Sequence, residues 1–166
     1  AYFLLATCYY ETIKDEKKDL SSLLKSKEYF QVVLDKYPNT DFSLDAKFKL
    51  ALINSILASK ELYVAKYYLS QKKWIPAMNR FKNIINDYEE TEYVEEALHR
   101  LVEINYYLGL ENESKKYAVL LGYNYQSSEW YKESYRVFNK NYENPKDKIK
   151  KNKQNFIIKK FKNLFK

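Results

Sequence analysis

The residues that could do chemistry are few. The chain of 166 residues holds one histidine, His99, one cysteine, Cys8, and two glycines, Gly109 and Gly122. A zinc site needs three or four Cys or His ligands, a disulfide framework needs paired cysteines, and a phosphate-cradling loop needs clustered glycines. The sequence therefore assigns no catalytic residue, no metal and no cofactor, and it is read as a non-enzyme. His99 has no second histidine or thiol near it in sequence, so a surface or packed role is expected of it. The neighbouring carboxylates Asp15-Glu16, Glu89-Glu90 and Glu95-Glu96 could suggest acid–base pairs. Sequence neighbours on a helix point roughly 100° apart, and solvated faces are expected instead.

What remains suits recognition. Eighteen tyrosines include the pairs Tyr9-Tyr10, Tyr67-Tyr68 and Tyr106-Tyr107. Tyrosine offers large contact area at small entropic cost, so one member of each pair is expected in the core and the other along a groove. Asn79-Arg80 stands out because the arginine is flanked by Met78 and Phe81 in an otherwise apolar stretch. Two readings stay open: a surface arginine whose stem covers Trp74 or Ile84, or a planar guanidinium that pairs with a partner's carboxylates or carbonyls. Tyr67, Lys72, Lys73 and Arg100 join Asn79 and Arg80 as candidate partner-binding residues.

Helices must position these side chains. Three segments repeat at offsets of 51 and 37 residues: Tyr37-Pro38-Asn39-Thr40-Asp41-Phe42 reaching Ala46, Tyr88-Glu89-Glu90-Thr91-Glu92-Tyr93 reaching Ala97, and Tyr125-Gln126-Ser127-Ser128-Glu129-Trp130 reaching Ser134. In each, a Thr or Ser can cap the next helix and the following acid complements its positive end. A small residue then permits close helix approach. Upstream of each tyrosine runs an amphipathic stretch with apolar spacings of three and four: Tyr29-Phe30-Val33-Leu34, Met78-Phe81-Ile84-Ile85 and Tyr117-Leu120-Leu121. Gly109 suits a left-handed helix cap and Pro76 a first helical turn. Val64-Ala65-Lys66-Tyr67-Tyr68 followed by Trp74, Ala77, Phe81, Ile84 and Tyr88 fits tetratricopeptide spacing. The larger offset predicts one long helix from Asp41 to about Gln71, roughly 45 Å at about 1.5 Å per residue. The expected fold is all-α: a tetratricopeptide-like right-handed solenoid of antiparallel helix pairs over residues 1–143.

Charge divides the chain. Of the net +7, residues 144–166 carry +8 from nine lysines and Asp147, leaving the rest close to neutral. A nucleic-acid reader carries its cations on the folded surface, so no nucleic-acid partner is expected. The tail opens at Pro145 and ends in a lysine-rich apolar run, in which Lys159, Lys160, Phe161, Leu164 and Phe165 suit contact with an anionic membrane. A disordered solubilising tail is the other reading. No apolar run is long enough to span a bilayer as a helix. The chain opens in helical pattern at Ala1-Tyr2-Phe3-Leu4-Leu5-Ala6, as a piece whose front is missing. Leu5-Ala6-Thr7-Cys8 loosely resembles a lipoprotein processing site, but Tyr9-Tyr10-Glu11-Thr12-Ile13 continues the apolar period, so Cys8 is expected to be buried in a helix.

The ordered set Leu57-Ala58-Ser59-Lys60-Glu61, Val64-Ala65-Lys66-Tyr67-Tyr68, Trp74, Ala77, Asn79-Arg80-Phe81, Tyr88 and Glu96-Ala97-Leu98 resembles the BamD (ComL) family of outer-membrane assembly lipoproteins, and Tyr37-Pro38-Asn39-Thr40 looks like an earlier repeat of that family. The likeness covers about residues 1–138. It implies a lipid-anchored periplasmic scaffold that docks on the POTRA domains of a BamA-like barrel alongside other assembly-complex subunits and meets unfolded outer-membrane protein clients. Asn79-Arg80 matches the family's Asn-Arg pair and is the first choice for the docking contact, while Glu89 replaces the proline usual after that tyrosine. The other function weighed is a general tetratricopeptide adaptor of the cell envelope. Such an adaptor would require Lys66, Lys72, Lys73, Asn105 and Lys116 to converge as a carboxylate clamp.

Overall fold

A computed structural model describes residues 1–12 and 20–139. Among these residues the chain forms helices and no strands, in the order α1 (Tyr2–Glu11), α2 (Ser21–Lys36), α3 (Asp41–Ser70), α4 (Trp74–Asp87), α5 (Tyr93–Tyr107), α6 (Glu111–Asn124) and α7 (Glu129–Phe138). The tail residues 144–166, including the five membrane-contact candidates, lie outside the described residues, as does the Asp15-Glu16 pair.

The repeat seen in the sequence is a repeat of backbone geometry. Tyr37, Tyr88 and Tyr125 each end a helix with φ between −132° and −138° and ψ between 40° and 51°. Each amide bonds back to the carbonyl four residues earlier, on Val33, Ile84 and Leu121. The caps are realised unevenly. Thr40 accepts from the Ser43 amide and Ser128 from the Trp130 amide. Thr91 does not cap, because α5 begins two residues later at Tyr93 with Glu92 in the N-cap place; like Thr40, its hydroxyl donates to the carbonyl of the preceding tyrosine, here Tyr88 at 2.8 Å. Nine residues beyond each tyrosine, Ala46, Ala97 and Ser134 are wholly buried, as close helix crossing demands.

Two of the turns are Schellman motifs. After α5, Gly109 (φ 77°) donates to Tyr106 and Leu110 donates to Asn105. After α3, Lys72 takes the same left-handed place (φ 56°), donating to Leu69 while Lys73 donates to Tyr68. Glycine is the usual occupant of that position because it has no Cβ to clash. Pro76 sits in the first turn of α4, where its missing amide costs nothing.

Consecutive helices pack as the hairpins α1–α2, α3–α4 and α5–α6, with α7 against α5 and α6. The opening helices of the second and third hairpins also touch, α3 on α5, and α5 in turn meets α7, as in a stacked tetratricopeptide-like solenoid. Two apolar cores result among the described residues. One gathers Ala6, Leu23, Phe30 and Val33 with Ala46, Leu50, Ile53 and Leu57 of α3. The other gathers Ala58, Leu62 and Ala65 of α3 with Ala77, Phe81, Ile84, Leu98 and Leu101. The 30-residue α3 is long because it serves both cores, changing from one to the other between Leu57 and Ala58. Tyr88 packs against both.

A second small position recurs eleven residues before each tyrosine: Ser26, Ala77 and Ser114, all wholly buried. The two serines donate into the facing helix, Ser26 to the Ala6 carbonyl at 2.9 Å and Ser114 to the Val102 carbonyl at 2.8 Å.

Cys8 departs from its expected burial and is exposed. Helix α1 turns Phe3, Ala6 and Tyr10 toward its core, and Cys8 sits two residues past Ala6, roughly 200° around the helix. No described helix is long and apolar enough to cross a membrane.

Candidate partner-binding site

The candidate residues fall into separate groups. On α4, Arg80 donates through Nη1 to both carboxylate oxygens of Glu61 on α3, at 2.9 and 3.2 Å. Asn83, one turn on, donates to the same carboxylate at 3.2 Å. The Glu61 side chain is 18% exposed and that of Arg80 is 41% exposed, so the pair lies at the lip of the α3–α4 crossing. Asn79, next to it, is exposed.

Tyr67, Lys72 and Lys73 collect at the α3–α4 turn. Tyr67 is 57% exposed and tilts against Tyr68, whose ring packs on the core. Both lysines are exposed on the Schellman turn. The expected division of labour within a tyrosine pair holds there. It fails at Tyr106-Tyr107, where both rings are exposed. Tyr107 lies on Trp74 and Tyr106 meets Phe138 edge-on, because these residues end α5 beyond its buried stretch.

Arg100 belongs to a different network. It bonds Glu96 at 3.4 Å and Glu103 at 2.7 Å, and its guanidinium lies over the Trp130 ring of α7. Glu96 also binds Lys66 of α3, at 2.8 Å. Glu96 is therefore no solvated surface acid as expected, but a bridge between α3 and α5, with its side chain 13% exposed. Glu89 and Glu90 are exposed, as expected.

His99 is packed, 4% exposed, with Nδ1 at 2.9 Å from the Ser134 hydroxyl and Nε2 at 3.5 Å from Glu103. Serine, histidine and glutamate in that order look like a nucleophile, its base and an orienting acid. Ser134, however, is wholly buried under the crossing of α5 and α7, so its hydroxyl meets no open cleft. The trio ties α7 to α5. Burial pushes the Glu103 carboxyl up, but the hydrogen bonds from His99 and Arg100, with their charges, outweigh it and hold the group below the ordinary carboxylate range.

The five residues a carboxylate clamp would need do not converge. Lys66 is bound to Glu96, and Lys72 and Lys73 sit on the turn. Asn105 is buried and donates to the Leu101 carbonyl, and Lys116 is exposed on α6. Sequence reasoning missed Glu61, the anchor of Arg80. The two are nineteen residues apart on different helices, and only the register of the α3–α4 hairpin pairs them.

The sequence model of YfiO, described as an outer membrane lipoprotein, matches residues 1–120. The chain belongs to the YfiO/BamD family. It is 44% identical over 144 residues to the outer membrane protein assembly factor BamD of Rickettsia prowazekii, covering 87% of this chain and 57% of that protein. With BamD of Caulobacter vibrioides the identity is 36% over 141 residues, covering 85% of this chain and 46% of that protein. The chain thus spans about half the length of these YfiO/BamD relatives.

Proposed function

We propose that this chain works in outer membrane protein assembly as a non-catalytic scaffold at the periplasmic face of the outer membrane. It docks on the POTRA domains of a BamA-like barrel through the α4 edge that carries Asn79 and Arg80. The observation that supports this site is how Arg80 is held. Glu61 engages Nη1 alone, and the side chain remains two-fifths exposed. A guanidinium has five donors in a rigid fork, so the anchored group keeps donors for a carboxylate or carbonyl on a second protein without the entropy of an untethered side chain. Tyr67, Lys72, Lys73 and Arg100 extend the surface, other assembly subunits and unfolded outer-membrane protein clients are its further partners, and the longer protein is held by an N-terminal lipid. The tail, through Lys159, Lys160, Phe161, Leu164 and Phe165, adds contact with an anionic membrane.

The test is co-purification with the periplasmic domains of a BamA-like barrel, comparing the natural chain, Arg80→Glu, and the exchange Glu61→Arg with Arg80→Glu. Capture lost in the single variant and not restored by the exchange supports docking through Arg80. Capture restored by the exchange assigns Arg80 to the intramolecular pair alone, and undiminished capture by Arg80→Glu removes the site.

A further inference from the structure

The recurring tyrosines place the second helices of the three hairpins in one register, and that register exposes an anomaly. Nine, six and two residues before the tyrosine, α2 carries Glu28, Gln31 and Asp35, and α4 carries Asn79, Lys82 and Asn86. These outward positions are polar in both, as a solvated helix face should be. In α6 the same positions are Lys116, Val119 and Tyr123. Val119 is 62% exposed and Tyr123 82% exposed, with Leu120 beside them at 40%. Together with Asn112 and Lys115 they line an open groove of about 490 Å³.

An apolar floor on the outside of a solenoid marks a contact surface, and its rim says what kind. Besides the Tyr123 hydroxyl, the polar groups lining the groove are those of Asn112, Lys115 and Lys116: two ammonium groups and an amide, with no carboxylate. Lys115 reaches Glu111 at 3.6 Å and Lys116 reaches Glu113 at 2.5 Å, both along the helix and both exposed. Exposed pairs of this kind contribute little and exchange readily for another carboxylate. The chain's own tail is a poor occupant, because its nine lysines would meet these two.

We propose that the outer face of α6 docks an amphipathic acidic segment of another protein, its apolar side chains on Val119, Leu120 and Tyr123 and its carboxylates on Lys115 and Lys116. This surface lies on a different hairpin from Arg80 and stands independently of it.

The test is fluorescence anisotropy of the full chain with a short helical peptide bearing leucines at alternating three- and four-residue spacing flanked by glutamates, and with its twin in which lysines replace the glutamates. The acidic peptide is expected to bind on the order of tenfold tighter than the basic one, more weakly as salt rises. Tyr123→Ser should weaken it by a similar factor, and Lys115→Glu with Lys116→Glu should invert the preference. All three positions are exposed, and unchanged circular dichroism checks the fold. Equal binding of the twins, no binding of either, or binding indifferent to Tyr123→Ser would overturn the proposal. Tyr123-dependent sedimentation with phosphatidylglycerol vesicles would assign the face to membrane, and Tyr123-dependent self-association would assign it to a second copy; either result also overturns it.

Discussion

Arg80 of α4 and Glu61 of α3 form a two-oxygen contact through a single guanidinium nitrogen, at 2.9 and 3.2 Å, at the edge of the hairpin crossing. The pair fixes where the arginine stands more than it stabilises the fold, since partly exposed ion pairs contribute about 0–1 kcal/mol. Arg80→Ala is therefore expected to lower unfolding free energy by no more than about 1 kcal/mol, read from the midpoint of urea denaturation. Arg80→Glu should cost more, by setting a carboxylate against that of Glu61, and the exchange with Glu61→Arg should recover most of the difference. A loss several times larger for Arg80→Ala would make the residue structural.

Lys72 occupies a backbone region that carries a steric cost for any residue with a Cβ. Lys72→Gly relieves that cost while loosening the unfolded chain, so a net gain of about 0.5–1 kcal/mol is expected. Its mirror is Gly109→Ala. That glycine has open space around its Cβ direction, so only the φ of 77° resists the change, and a loss of about 1 kcal/mol is expected. Thermal melts should move in opposite directions, by roughly 2–4 °C each for a chain of this size. Equal shifts of one sign would refute the account.

Much of this architecture was legible because it is periodic. The tyrosines, the small residues nine positions later and the 30-residue α3 follow from spacing alone, as does the left-handed Gly109. What spacing could not give is which side chain meets which across helices. Glu61 with Arg80, Lys66 with Glu96 and His99 with Ser134 depend on hairpin register, a tertiary quantity. Thr91 misled for a local reason: Glu92 is already in the helical region and takes the N-cap place, so Thr91 sits one residue too early to meet an amide of α5, whereas Thr40, whose hydroxyl makes the same donation to the preceding tyrosine, directly precedes α3. Cys8 misled because an apolar run that continues through a residue does not say which side of the helix that residue faces.

Ser114 joins α5 to α6 at a point wholly shut off from solvent, and Ser26 does the same for α1 and α2. Ser114→Ala removes the donor but keeps the close approach, for an expected cost of about 1 kcal/mol. Ser114→Leu must separate the helices, and overpacking of this sort costs about 1–3 kcal/mol or more. Since Ala77 holds the equivalent place in the middle hairpin, Ala77→Ser should be tolerated more readily than Ala77→Leu. Urea midpoints across these variants give the ordering, and a leucine accepted as easily as the smaller residue would refute the tight crossing.

Glu103 is expected to make the junction of α5 and α7 sensitive to acid. Its carboxyl is held below the ordinary value of 4.5 in the folded chain, burial being outweighed by His99 and Arg100. The folded state thus favours the ionised form, so the contribution is complete above the unfolded value and is lost as pH falls through the depressed one. Acid titration followed by tryptophan fluorescence in a Trp74→Phe background should show the Trp130 ring, which sits on His99 at 5.2 Å and under Arg100, leaving its site only below the ordinary carboxylate range. Glu103→Gln should flatten that acid limb while leaving the melt near neutral pH only modestly lower, because the carboxylate is partly exposed. An acid transition of Trp130 unchanged in Glu103→Gln would assign the junction's acid sensitivity to another group.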